Sequence, residues 1–145
     1  MNRLLALWVL AVAGGASALA DDGDTRELVT MPSPMVLHML SNMRDHLLAI
    51  TEIQRSLGAG DFQSAADIAE TRIGLSSLAS HGASHMAAFM PKPMQNIGTQ
   101  MHRAASRFAL VAQEAGADGN AQRAIAALSK VTAQCVACHA AYRVR

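Results

Sequence analysis

The chain predicts an all-α fold, an antiparallel four-helix bundle, and three observations carry that expectation. Of its 145 residues 51% are apolar, yet only 3% are aromatic, so the core must be filled by Ala, Leu, Val, Ile and Met. Such residues favour helices or fit easily between them. Four stretches after residue 30 repeat apolar positions every three or four residues, the period of one helix face. Short connections separate them, apart from one longer loop, which favours neighbours running in opposite directions. At this length a single domain is expected, spanning residues 21–145.

Residues 1–20 fall outside that domain. Met1-Asn2-Arg3 gives a positive start, Leu4 to Ala13 an apolar run and Ala18-Leu19-Ala20 a small-residue cleavage site, the pattern of an export signal cut near Ala20. The apolar run is far short of the ~20 residues a spanning helix needs. Charged, Gly or Pro residues interrupt every later apolar stretch, so no membrane association is expected after cleavage, and the mature chain is expected in the periplasm. Arg3 is the only charged residue removed, which leaves a net charge near zero. With no basic stripe for nucleic acid and no polybasic patch for anionic lipid, the expected partners are proteins or small molecules.

The first helix is expected to start at Ser33-Pro34, a capping residue followed by a proline suited to the first turn. Val36, Leu40, Met43, Leu47, Ile50 and Leu57 then trace its inner seam, and Gly58-Ala59-Gly60 ends it. Asp61 caps a second helix that carries Phe62, Ala65, Ile68, Ala69, Ile73, Leu75 and Leu78 toward His81-Gly82. Residues 81–93 hold two prolines and a glycine and read as the one long loop, with room for a single helical turn. A third helix is expected from about Met94 to Ala115, with Ile97, Met101, Ala105, Phe108 and Val111 on one side, closed by 116–120. The last helix starts near Ala121 and carries Ile125, Leu128, Val131, Cys135, Cys138 and Tyr142 to the end of the chain.

Residues 135–139 read Cys-Val-Ala-Cys-His, and these are the only two cysteines. On a helix, positions i, i+3 and i+4 share a face, so two thiols can reach two vinyl groups of a haem while the imidazole sits under its iron. Three other uses compete. A disulfide between helical cysteines three apart rarely meets the required Cα separation and direction. A zinc site needs four ligands, and no second pair with finger spacing follows. A thioredoxin-like pair would open a helix after a strand, whereas this one ends the final helix. Covalent attachment of one haem c at Cys135 and Cys138, with His139 on the iron, is the expectation.

The segment Cys135 to Arg143, Cys-Val-Ala-Cys-His-Ala-Ala-Tyr-Arg, near the end of an exported four-helix chain, resembles the class II c-type cytochromes, cytochrome c prime and its low-spin relatives. The resemblance is sharp over the last helix and architectural elsewhere. It implies a left-handed bundle with haem among the helices, often assembled as a homodimer, and it implies that Arg143 lies over the proximal haem face. A solvated C-terminal charge is the plainer role for Arg143. The resemblance also implies that the first helix supplies the wall opposite His139.

That helix offers Met35, Met39 and Met43, at spacing four on nearly one face. Met43, on the expected seam and followed by Arg44, is the expected sixth ligand, with Met39 the alternative. The Arg-Gln pair that precedes the ligand in low-spin relatives is absent here, which leaves the register open by a turn. A methionine stripe is also ordinary core packing. His38 and His46 are further candidates as iron ligands, but surface positions suit both. His81, His85, Met86, Met90, Met94, Met101 and His102 form a second Met and His group of a kind that suits Cu(I). Their spacing matches no closed site, so packing of the methionines over a haem edge and solvation of the histidines is the expected role.

A thioether ligand would make a six-coordinate, higher-potential electron carrier with a redox partner protein, and an open site would make a five-coordinate binder of nitric oxide or carbon monoxide. The carrier is the expected function and the gas binder its alternative. No Ser-His-Asp set, carboxylate pair or phosphate-binding loop marks the chain as an enzyme.

Overall fold

A computed structural model describes residues 23–145, and most of them are helical. The expected export signal lies outside the described residues. The elements in order are β1 (Glu27–Val29), α1 (Ser33–Gly58), α2 (Phe62–Arg72), a 3-10 turn (Leu75–Ser77), α3 (Ala83–Ala87), α4 (Lys92–Asp118), α5 (Ala121–Ala141) and β2 (Tyr142–Val144). α1 packs on α2, α2 on α4 and α4 on α5.

Local chemistry sets each boundary. Pro34 occupies the first turn of α1, where a missing N–H costs nothing, and Pro32 takes the capping position expected of Ser33. The Asp61 carboxylate accepts the Ser64 backbone N–H at 3.0 Å and caps α2. α2 stops at Arg72, about a turn and a half before the expected end. A Cβ on Gly74 would lie 2.7 Å from the Glu70 carbonyl oxygen, so the chain leaves the helix where only glycine fits. α4 starts two residues early and runs to Asp118, three residues past the expected Ala115. It stops at Gly119, within the expected closing segment 116–120, where a φ of 71° is left-handed. The Asn120 side chain then accepts the Arg123 N–H at 3.0 Å and caps α5.

The main core draws on all four long helices. Ala49, Ile53 and Leu57 of α1 meet Ala65, Ala66 and Ala69 of α2, Ala105, Phe108 and Ala112 of α4, and Ala124, Leu128 and Val131 of α5. The many alanines let the helices approach closely, and Phe108, fully buried, fills the centre. Arg72 of α2 forms ion pairs with Asp45 and Glu52 of α1.

The inner seam of α1 differs from the expected one at Leu40 and Leu47, while Leu57 is buried as expected and Ile50 packs against the core. Met39, His46 and Ile53, seven apart, are buried, whereas Leu40 is 38% and Leu47 69% exposed. A heptad spacing keeps one edge of a helix against its neighbours, and the buried set is displaced by one residue from the expected leucines. In α5, likewise, Ala124 is buried and Ile125 is 57% exposed. The expectation that charges break every later apolar stretch fails for α5, which by length and composition alone could cross a bilayer. Only Arg123 and Lys130 interrupt its 21 residues, because alanine is apolar enough to carry the average.

Candidate cofactor-attachment site

The last two turns of α5 carry Cys135, Cys138 and His139. Cys135 packs against the main core and directs its thiol toward the Val131 carbonyl at 3.7 Å. Cys138 packs against a second cluster. Both thiols are free. Burial pushes both upward in pKa, and the neighbouring Cys135 adds to the rise at Cys138. His139 is exposed, and its carbonyl accepts Arg26 Nη1–H at 3.4 Å.

Beyond Ala141 the expected continuation of the last helix does not occur. Tyr142–Val144 extends and pairs in parallel with Glu27–Val29, Arg143 opposite Leu28. Aromatic and β-branched residues suit a strand, and the N-terminal segment supplies the ladder partner that sequence periodicity does not reveal. Arg143 Nε faces Asp24 Oδ2 at 3.4 Å. Hydrogen bonds from Arg26, and the charges of Arg26 and Arg143, hold the Asp24 carboxyl well below the usual carboxylate range. Arg143 is thus half-buried within an ion pair rather than a free terminal charge.

The second cluster is a methionine wall. Val29, Met31, Met39, Met86 and Met94 are buried in it, and Met35, Val36, Met43, Met90, Cys138, Tyr142 and Val144 pack at its margin. The stripe Met35, Met39, Met43 and the loop thioethers of Met86, Met90 and Met94 therefore gather beside Cys138, although their sequence spacing gave them no common focus. Met39 is the most buried of the stripe, 8% exposed, while Met43 is half-buried. Gln95 fastens the loop by donating to the carbonyls of Ala87 and Met90, both at 2.8 Å. The one helical turn expected in this loop is α3.

The histidines depart from the expected solvated positions. His38 Nε2–H donates to the His81 carbonyl at 2.9 Å, and Asn42 donates to the same oxygen at 3.1 Å, which ties α1 to the loop. His46 and His102 are buried and His81 is half-buried, whereas His85 is exposed, as expected of a solvated loop residue. Burial, then the charges of His81 and His102, push His46 down to about 4. Burial and His102 also lower His81. Among the described residues, no three His, Cys, Asp or Glu side chains already stand in ligating positions about a common point.

A groove of about 330 Å³ between α4 and α5 is lined by Arg103, Arg107, Lys130 and Gln134, with Phe108 at its base. It lies one residue from Cys135 but does not include it. No family model, curated protein or solved structure matches this chain.

Proposed function

We propose that the protein is an exported mono-haem c-type cytochrome that carries electrons, with the haem held by α5 at one end of an antiparallel four-helix bundle formed by α1, α2, α4 and α5. The observation that carries this reading is the complete Cys-x-x-Cys-His set on the last turns of α5, with both thiols free and the methionine wall packed against Cys138. The donor chemistry fits. A free thiol can add S–H across a vinyl group to give a thioether with no leaving group, and thioether side chains make an apolar, adaptable wall for a macrocycle. Apolar α5 surface at Val136, 68% exposed, flanks His139, so the helix has an uncovered side beside the attachment residues.

In this reading Cys135 and Cys138 fix the group to the helix and His139 gives the iron an imidazole. Met43, with Met39 the alternative, would offer the iron a thioether, and the group would supply reversible one-electron exchange. The surrounding methionines exclude water. Arg26, on the His139 carbonyl, and Arg143, on Asp24, hold the last turn and the strand after it together. Leu37, Leu40, Leu47 and Leu48 leave an exposed apolar face on α1, which supports self-association as a homodimer in the periplasm. Visible spectra of the purified ferric and ferrous protein test the reading. A low-spin spectrum with a thioether signature is expected; a high-spin spectrum with carbon monoxide binding would replace the carrier with a gas binder.

A further inference from the structure

Outside the methionine wall, three imidazoles from three segments meet: His46 of α1, His81 of the loop and His102 of α4. Their ring centroids are 4.7 Å (His46 to His81), 5.6 Å (His81 to His102) and 6.1 Å (His46 to His102) apart. His46 is 6% and His102 8% exposed. Neither ring nitrogen of His46 has a hydrogen-bond partner, although both are buried. A buried polar atom left without a partner costs about 1–3 kcal/mol, so its place in a fold calls for a physical reason.

The hydrogen bonds of the other two rings supply that reason. The His102 Nδ1–H donates to the Ile73 carbonyl at 2.6 Å, which leaves its Nε2 with a lone pair. The single hydroxyl proton of Ser77 goes to the Gly74 carbonyl at 2.7 Å. The Ser77 oxygen can then only accept from His81 Nδ1–H, at 3.3 Å, and His81 Nε2 is likewise left with a lone pair. This is how protein metal sites prepare imidazoles: one nitrogen donates to an oxygen, which fixes the tautomer and leaves the other nitrogen to bind.

We propose that His46, His81 and His102 bind one divalent first-row cation with imidazole preference, Zn2+ or Cu2+, with water in the remaining position. Metal–nitrogen distances near 2.0–2.1 Å in a tetrahedral arrangement put bound imidazole centroids roughly 5 Å apart. The observed separations bracket that value, and because no three ligands among the described residues converge as the rings stand, binding requires the rings to reorient. The imidazole χ2 torsion is broad, and His46, whose ring no hydrogen bond holds, is the one most free to turn. The half-buried His81 gives the ion its route in, and the carboxylates of Asp45 and Glu52 offset the nearby Arg72. The site uses none of the residues assigned to haem and stands whether or not that assignment holds.

The test is a calorimetric Zn2+ titration of the untagged mature protein, followed by zinc-edge X-ray absorption to count imidazole ligands. One Zn2+ per chain with three imidazoles is expected. His46→Phe and His102→Phe should each weaken binding by more than the roughly 10–100-fold that loss of an outer hydrogen-bonding partner costs. His85→Ala, outside the cluster, should leave binding unchanged. Absence of a one-per-chain site, fewer than three imidazoles in the wild-type absorption spectrum, or binding that survives both Phe variants would overturn the proposal. The wild-type ligand count decides the matter even if a Phe variant fails to fold.

Discussion

Glu27 pairs in parallel register with Tyr142, so the segment just after the expected export signal is laced to the residues just after the Cys-x-x-Cys-His set. The pairing joins the first and last described segments over the methionine wall, with Val29 buried at 3% exposure. Val29→Ala should therefore destabilise the protein by about 2 kcal/mol through lost burial and a residual cavity. Urea unfolding followed by circular dichroism measures it. An unchanged midpoint would mean that the strand pair adds nothing to the fold.

Ile53→Ala and Leu47→Ala separate the observed seam of α1 from the one its leucines suggest. Ile53 is fully buried and Leu47 is 69% exposed. The first substitution should cost about 2–5 kcal/mol and the second within about 0.5 kcal/mol, measured on dilute protein where self-association does not contribute. The reverse order would restore the leucine seam.

These positions show what the sequence made legible. The order of the long helices and the Asp61 cap followed from Pro34, Asp61 and the loop prolines, all local signals. The rotation of α1 by one residue did not, because leucine lies on both its faces and periodicity alone cannot rank them. The end of α2 depended on one close approach, Gly74 to Glu70, and β2 on a partner more than a hundred residues away. Of the candidate site, the common placement of Cys135, Cys138 and His139 at the end of α5 was legible by spacing. The convergence of seven methionines beside Cys138, and the burial of His46 and His102, arise only when α1, the loop and α4 come together.

Asp61 gives a pH-dependent term. Its hydrogen bonds with Ser64 lower its pKa in the folded chain below the ordinary 3.8. A carboxyl with a depressed folded pKa stabilises the fold above its unfolded value and loses that contribution as pH falls through the folded one. Asp61→Asn keeps a capping oxygen but removes the titration. Its stability should fall less steeply than wild type between pH 5 and pH 2 in parallel urea titrations, and identical slopes would contradict the cap's electrostatic role.

Met43 and Met39 carry different expectations on the proposed reading. Met43→Ala should turn a low-spin protein high-spin, lower its potential and open it to carbon monoxide, because a thioether favours ferrous iron more than water does. Met39→Ala, removing a buried side chain, should keep the low-spin spectrum and cost about 2–5 kcal/mol of stability. Visible spectra with and without carbon monoxide check both. If Met39→Ala alone loses the low-spin spectrum, the ligand lies one turn earlier on α1.

The most direct measurement is the intact mass of the exported protein before and after acid-acetone extraction, alongside a Cys135→Ala, Cys138→Ala double variant. The account predicts a wild-type mass equal to the mature polypeptide plus one haem, unchanged by extraction, and a double variant without it. A wild-type mass equal to the polypeptide alone, or haem that the solvent removes, would contradict covalent attachment at Cys135 and Cys138.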